Sequence, residues 1–134
     1  MQEMFCFQCQ QTAHNTGCDG KAGVCGKKAD TANYQDEVIG ALIGLAQAVQ
    51  AGTATDRTDE LMLKGLFTTI TNVNFNNETI LQIKNDIEKE KAAVSTTHFA
   101  DYDMAELWRA GEDVRSLKSL ILFGLKGMAA YAYH

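Results

Sequence analysis

Apolar residues recur every three to four positions in four long segments of the chain. Residues at this spacing lie on one face of a helix, so each segment predicts an amphipathic helix. A shorter helix is expected around Trp108, no segment alternates at a period of two over a strand's length, and proline is absent. The expected helices span about 30–51, 59–70, 77–94, 103–110 and 112–133. The predicted fold is all-α: an antiparallel helical bundle of three to four helices, with the N-terminal segment as a loop.

Each predicted helix has an apolar stripe that we expect to face the core. In the first helix the stripe comprises Val38, Leu42, Leu45 and Val49. In the third it comprises Ile80, Ile83, Ile87 and Val94, with an exposed side formed by Lys84, Glu88, Lys89 and Lys91. In the last it comprises Val114, Leu117, Ile121, Leu125 and Met128. Because glycine costs stability inside a helix, Gly40 and Gly44 predict a close contact with another helix.

The last predicted helix has more apolar residues than a single inward stripe can bury. The surplus comprises Leu120, Leu122, Phe123, Tyr131 and Tyr133. One interpretation is that the segment 95–110, which contains Phe99, Tyr102 and Trp108, folds over this surplus. The other is that the helix mediates a homodimer or a swapped arrangement.

The N-terminal segment contains all four cysteines of the chain, at Cys6, Cys9, Cys18 and Cys25, with the spacing C-x2-C-x8-C-x6-C. A chain that used cysteine as a small core residue would scatter it. We therefore divide the 134 residues of this predicted single domain into a cysteine-rich loop at 1–29 and a helical bundle at 30–134.

Three chemistries are open for these cysteines. Four thiolates can hold an iron–sulfur cluster, or a structural zinc ion in tetrahedral geometry. Two disulfides are the third alternative, but no signal peptide is visible and a chain of this length can bury a core without them. Structural zinc sites usually use two C-x2-C pairs, and Cys6 with Cys9 is the one such pair here. The unequal spans favour a cluster.

Residues between the cysteines suit a bound cluster. Gly17, Gly20, Gly23 and Gly26 allow backbone N–H groups to approach sulfur closely. The positive charges of Lys21, Lys27 and Lys28 can offset the negative charge of thiolate ligands. Phe5, Phe7 and Val24 could shield the site from water. His14 is interpreted as a bystander, because four thiolates complete the ligand set.

Composition and charge limit the other possibilities. The formal net charge of −5 gives no electrostatic footprint for nucleic acid. The longest apolar run, 38–46, is too short to span a bilayer, so no membrane association is expected. Free thiols without a visible targeting segment favour a reducing, cytoplasmic setting.

Several motifs resemble the N-terminal region of the hybrid-cluster proteins, also called prismane proteins or hydroxylamine reductases. They are FCFQCQQTA at 5–13, TGC at 16–18, GVCGK at 23–27, GLFTTITNVNF at 65–75, EDVRSL at 112–117 and FGLKGMAAY at 123–131. The motifs follow the order of the family along nearly the whole chain.

The resemblance implies that Cys6, Cys9, Cys18 and Cys25 bind the simpler cluster of the family. A [4Fe–4S] cluster is favoured, with [2Fe–2S] or zinc as alternatives. The x8 span fits the family members with shorter cysteine spacing and a [4Fe–4S] cluster, whereas the x6 span fits those with longer spacing and a [2Fe–2S] cluster. It also implies that the chain is the N-terminal part of a longer oxidoreductase. The hybrid cluster, where hydroxylamine is reduced to ammonia or nitric oxide is reduced, would lie outside this chain. An electron-donor protein and the remaining domains of the parent are the implied partners, and the isolated domain is expected to be inactive.

A second hypothesis belongs to another functional class. The chain would be a helical binding module in which zinc or a cluster holds the loop together without any redox role. Colour separates the two hypotheses. A brown protein that bleaches on reduction supports electron transfer, and a colourless protein with one zinc supports the module.

Overall fold

The computed structural model describes residues 3–134 and contains five helices and a two-stranded sheet in this range. The strands are β1 (Met4–Cys6) and β2 (Cys18–Gly20), and a short 3-10 turn at Ala13–Asn15 lies between them. The helices are α1 (Ala29–Ala51), α2 (Asp56–Thr68), α3 (Asn77–Val94), α4 (Met104–Trp108) and α5 (Glu112–Tyr133). The prediction of an all-α fold is confirmed, with the small sheet confined to the cysteine segment.

The main core forms where α1, α2 and α3 pack together. The predicted stripes of α1 and α3 are confirmed, since Leu45, Ile80 and Ile87 are fully buried and Val49 packs at the core's edge. Leu61 of α2 and Met104 and Leu107 of α4 complete this core. A second, smaller core lies between the cysteine loop and the start of α1, and it contains Met4, Cys18, Ala29 and Ala32. The loop is therefore attached to the N-terminal end of α1.

Capping residues set the helix starts. Thr55 caps α2, because its hydroxyl oxygen accepts a hydrogen bond from the Thr58 backbone N–H. In return, the Thr58 hydroxyl oxygen accepts a hydrogen bond from the Thr55 backbone N–H. Glu90 of α3 accepts a hydrogen bond from the Thr58 hydroxyl at 2.8 Å. The predicted start of α2 near residue 59 was therefore three residues late, because a reciprocal threonine pair can replace the usual capping carboxylate. Asn76 caps α3 through a single hydrogen bond, in which its side-chain oxygen accepts from the Thr79 backbone N–H.

Gly40 and Gly44 of α1 do make a close contact, chiefly with the backbone of the segment before α4, although Lys91 of α3 also lies beside Gly44. A Cβ at Gly40 would overlap the Tyr102 carbonyl oxygen, and one at Gly44 would crowd the Ala100 carbonyl. Tyr102 N–H also donates to the Gly40 carbonyl at 3.1 Å. The segment before α4 is thus held against α1 by backbone, which requires the absence of side chains there.

The predicted inward face of α5 was wrong. Leu117, Ile121 and Met128 are 64%, 65% and 70% exposed, and Val114 and Leu125 are also exposed. The buried positions are Ser119, Lys126 and Ala129, with Leu122 packed at the edge of the main core. Small side chains on this face let α5 approach α2 closely, and Lys126 makes hydrogen bonds there. The prediction chose the more apolar face, whereas contacts with other parts of the chain select the opposite one.

Lys91 was also misplaced by the sequence pattern. It was expected on the exposed side of α3, yet it is 5% exposed. Its ammonium lies between the carboxylates of Glu88, at 2.8 Å, and Asp101. Asp101 belongs to the segment that covers α1, so this buried charge is paired both by its own helix and by a segment that folds over it.

None of the helices described for residues 3–134 has the length and apolar character needed to cross a membrane.

Candidate metal centre

Two short strands bring the first and third cysteines together. β1 and β2 are antiparallel, and Cys6 pairs directly with Cys18. Residues directly opposite in such a pair have their side chains on the same face, with Cβ atoms about 5 Å apart. The sequence did not reveal this ribbon, because three-residue strands are too short to show a period of two.

Cys9 and Cys25 come to the site through tight turns. The chain turns back between Cys9 and β2 through the 3-10 segment, where His14 and Asn15 adopt positive φ angles of 53° and 59°. Beyond β2, Gly23 N–H donates to the Lys27 carbonyl at 2.8 Å, and Gly26, with φ 85°, donates to the Gly23 carbonyl at 2.9 Å. These bonds close a small loop around Cys25 and lead directly into α1.

All four cysteines line one narrow cavity with a volume of about 10 Å³. Its wall is completed by Met4, Gln11, Thr12, Gly23, Val24, Lys27 and Thr71. A Cβ at Gly23 would lie 3.6 Å from Cys25 Sγ and 3.8 Å from Cys18 Cβ, so a side chain there would project toward the thiols. Thr71 comes from the connection between α2 and α3, which makes the site dependent on the bundle.

The thiols are free, and they are not gathered around one point. Within residues 3–134, no three Cys, His, Asp or Glu side chains are close enough together to hold one metal ion. A tetrahedral zinc site would need four sulfurs about 2.3 Å from a common centre. A multi-iron cluster places its ligands at separate corners and needs a wider arrangement. The four thiols thus share one cavity without forming a compact ligand set for a single ion.

Hydrogen bonds and charge act directly on two of the thiols. Val24 N–H points to Cys18 Sγ at 3.5 Å, and the Gln8 backbone N–H is directed to Cys6. Burial raises the pKa of the Cys6 thiol, whereas the Gln8 N–H and the positive charge of Lys27 lower it. Amide donors and a nearby cation both favour a thiolate, which is the form that binds iron or zinc.

Aromatic residues attach the cysteine loop to the bundle. Phe7 lies 5.4 Å from Trp108 and 5.7 Å from Phe123, measured between ring centroids. Phe5 packs on both Phe7 and Trp108 at 5.5 Å. Since these two phenylalanines flank Cys6, the packed aromatic rings hold β1 against α4 and α5. Val24, in contrast, lines the cavity but is 62% exposed.

Three charged side chains converge behind Cys6, and sequence reasoning identified only Lys27, which is 2% exposed. Lys126 of α5 is buried, and burial lowers its pKa to about 8 against the opposing effect of Asp36. Burial likewise raises the pKa of Asp36 to about 6, although its carboxylate accepts a hydrogen bond from Trp108 Nε1 at 2.8 Å. A lysine within the apolar stretch 120–131 was the available signal for Lys126.

Other candidates from the sequence lie away from the cavity. His14 is exposed and does not line it. Lys21 and Lys28 are exposed as well, so among the three lysines proposed to offset cluster charge only Lys27 is buried at the site.

A helical protein with a four-cysteine cavity at one end is thus the class that the fold and the site define. A family model described as Prismane/CO dehydrogenase family matches residues 4–134, and the chain belongs to that family.

Curated relatives agree with this assignment. The chain is 40% identical to a hydroxylamine reductase of Caldanaerobacter subterraneus subsp. tengcongensis, with 98% of this chain and 30% of the relative covered. It is 41% identical to proteins of the same name from Desulfitobacterium hafniense and Desulfovibrio desulfuricans, in each case over 98% of this chain and 29% of the relative. The chain therefore spans about 30% of the length of the relatives it matches.

Proposed function

We propose that Cys6, Cys9, Cys18 and Cys25 together bind one iron–sulfur cluster, of the [4Fe–4S] type, and that this chain is an electron-transfer domain. The observation that carries the proposal is the convergence of all four cysteines on one cavity. Two come from the strand pair and two from the turns that follow the strands, so separate parts of the loop each supply a thiol.

The residues around the cavity fit a cluster in three ways. Four thiolates are the ligand set that a cuboidal cluster requires, and all four cysteines line one cavity. Backbone N–H groups approach Cys6 and Cys18, and such bonds tune the potential of a cluster. Buried Lys27 contributes a positive charge beside ligands that would carry negative charge. When bound, the cluster supplies one-electron redox chemistry, and the chain provides its shielding, hydrogen bonds and electrostatic environment.

The parent activity is inferred from the relatives. They are named hydroxylamine reductases, and we propose that the parent of this chain reduces hydroxylamine to ammonia, or reduces nitric oxide, at a second cluster outside residues 1–134. No cysteine follows Cys25, so this chain has no thiols for a second cluster. Its own role is to accept electrons from a donor protein and pass them to the remaining domains of the parent. The isolated domain should therefore not turn over hydroxylamine.

Organisation and setting follow from the same proposal. We treat residues 1–29 and 30–134 as one unit, because aromatic and hydrogen-bond contacts tie the loop to α4 and α5. A cytoplasmic location would keep the thiols reduced until a cluster is inserted. A homodimer through the exposed face of α5 remains part of the proposal for the isolated chain.

The test is metal content after anaerobic reconstitution of the 134-residue chain with iron and sulfide. We expect a brown protein with close to four iron and four sulfide per chain, as a [4Fe–4S] cluster requires, and a colour that bleaches with dithionite. Substituting Ser singly for Cys6, Cys9, Cys18 and Cys25 should remove most of the iron. Gln10→Ser, at an exposed loop position that does not line the cavity, is the matched control.

Two results would contradict the proposal. Full iron retention in two of the Cys→Ser variants would show that the four thiols do not act together. A colourless protein with one tightly bound zinc, unchanged by dithionite, would support the alternative binding module without a redox role.

A further inference from the structure

Lys126 connects the last helix to the cysteine loop. The side chain is 5% exposed, and its ammonium donates to the Gln8 side-chain oxygen at 3.2 Å and to the Thr69 carbonyl at 3.0 Å. Gln8 lies in the turn between Cys6 and Cys9, and its side-chain oxygen also accepts from the Thr71 hydroxyl at 3.3 Å. One lysine therefore holds the Cys6–Cys9 turn against both α5 and the end of α2.

This ammonium has no adjacent counter-ion. Among the ion pairs within residues 3–134, none involves Lys126. Asp36 and, when ionised, Cys6 favour its protonated form, whereas the positive charge of Lys27 opposes it. A buried cation is costly unless a compensating negative charge is near. Asp36 acts only at a distance, because its carboxylate accepts a hydrogen bond from Trp108 Nε1 and forms no ion pair with Lys126.

The orientation of the group indicates where its compensation comes from. Its two acceptors, Gln8 and Thr69, are neutral, and they direct the ammonium toward the back of the cysteine turn. A set of four thiolates around iron carries net negative charge, and its one-electron reduction adds one more. A fixed positive charge close to these ligands stabilises the reduced state more than the oxidised state.

We propose that Lys126 is a positioning residue for the cysteine site: it holds the Cys6–Cys9 turn through Gln8 and places a buried positive charge that raises the reduction potential of the bound cluster. This inference rests on the proposed iron–sulfur function. The redox step is the transfer of one electron from a reduced low-potential dye to the cluster; no bond is made or broken in this step. At neutral pH, below its pKa of about 8, Lys126 is mostly protonated, and the electron transfer leaves its charge unchanged.

Four variants separate charge from position. Lys126→Gln keeps N–H donors for Gln8 and Thr69 but loses the charge, whereas Lys126→Arg keeps the charge. Lys126→Met loses both. Lys118→Met makes the same charge change on the same helix at an exposed site, where solvent and salt screen the effect. Iron and sulfide are measured first in every protein, and the midpoint potential is then determined by dye-mediated titration of the reconstituted chain.

We expect all five proteins to bind the cluster. At a fixed solution potential, the ratio of reduced to oxidised cluster should fall about tenfold in both Lys126→Gln and Lys126→Met, because each loses the buried charge. Lys126→Arg and Lys118→Met should stay close to the wild type. This pattern would support the electrostatic role. If Lys126 were merely structural, the potentials of Lys126→Gln and Lys126→Met would not shift together while that of Lys126→Arg stayed at the wild-type value.

Other outcomes would overturn the inference. A cluster of unchanged potential in Lys126→Gln and Lys126→Met would remove the electrostatic role while leaving the proposed function intact. A shift in Lys126→Met alone would assign the effect to the lost hydrogen bonds. Loss of iron from Lys126→Gln but not from Lys126→Met would also contradict it. A wild-type chain that binds no cluster would refute the proposed function itself, and this inference with it.

Discussion

Helices α1 and α5 have nearly the same length but opposite burial. α1 contains 23 residues, of which twelve are buried, and α5 contains 22, of which three are buried. The buried residues of α1 are mostly apolar, and six of them belong to the main core. Those of α5 are Ser119, Lys126 and Ala129, whereas Leu117, Leu120, Ile121 and Met128 are exposed. Apolar content alone therefore does not decide which helix forms the core of this molecule.

The difference shows two ways of holding a helix. α1 is held by packing on α2, α3 and the segment before α4, so its stability depends on how closely its side chains fit against these neighbours. α5 is held by a few specific contacts: Lys126 with Gln8 and Thr69, Phe123 with Phe7, and the stacked rings of Phe67 and Tyr133 at 4.4 Å. These contacts connect α5 to the cysteine loop and α2, and they leave its apolar stripe in solvent.

The largest expected effect is the loss of a core side chain in α1. Leu45→Ala, at a fully buried position, should lower the free energy of unfolding by about 2–5 kcal/mol. Leu120→Ala makes the same change in α5 at a residue that is 69% exposed, and should change it by less than about 0.5 kcal/mol. Urea unfolding of the reduced apo-protein measures both. Equal losses would mean that α5 packs as deeply as α1.

Glycine substitutions should have opposite signs in the two helices. Gly124→Ala in α5 meets no neighbouring atom, and should raise the free energy of unfolding by about 0.5–1 kcal/mol through better helix propensity. Gly40→Ala in α1 would place its methyl group against the Tyr102 carbonyl, and should lower it by about 1–3 kcal/mol. Thermal unfolding of the two variants tests this, and stabilisation by Gly40→Ala would contradict the close contact.

The buried charge of α5 predicts a pH dependence in the alkaline range, whereas Asp36 of α1, whose pKa is raised to about 6 by burial, acts in the acidic range. Burial lowers the pKa of Lys126 from 10.5 to about 8. Between these values the unfolded chain binds more protons than the folded chain, so this group makes the apo-protein more stable as pH rises from about 8 to 10.5. Lys126→Met should lack this contribution. Across that pH range, the free energy of unfolding of the wild type should therefore rise relative to that of Lys126→Met. Urea unfolding at several pH values under reducing conditions measures the difference, and parallel curves would contradict it.

Substitutions on the exposed face of α5 should have the smallest effect on the free energy of unfolding, but they should measurably change self-association. The segment 95–110 does not cover this face, because Phe99, Tyr102 and Trp108 pack on the main core instead. We expect the isolated chain to self-associate at micromolar concentration, and Leu117→Gln with Met128→Gln to weaken this several-fold without loss of stability. Leu63→Gln, at an exposed position of α2, is the control. A monomer that binds no hydrophobic dye in sedimentation experiments would refute this expectation.

Local patterns in the sequence were enough to predict much of this protein. The spacing of Ile80, Ile83 and Ile87 predicts both the existence of α3 and its buried face, because a single period and clear capping residues agree there. The absence of proline and of alternating segments predicts the all-α class. The position of the four cysteines in one short loop predicts a common site, and the structure places all four on one cavity.

Only the tertiary structure decided which face of α5 is buried, and which charges reach the cysteines. Val114 to Met128 presents apolar residues on more than one side, so periodicity could not choose between faces; the contacts of Lys126 and Phe123 with a loop more than one hundred residues away did so. Lys91 is paired by Glu88 of its own helix and by Asp101 of the segment that covers α1, and Lys126 is buried where Gln8 and Thr69 accept its hydrogen bonds. Partners outside the helix therefore contribute to the burial of both charged side chains, and helical spacing carries no information about those partners.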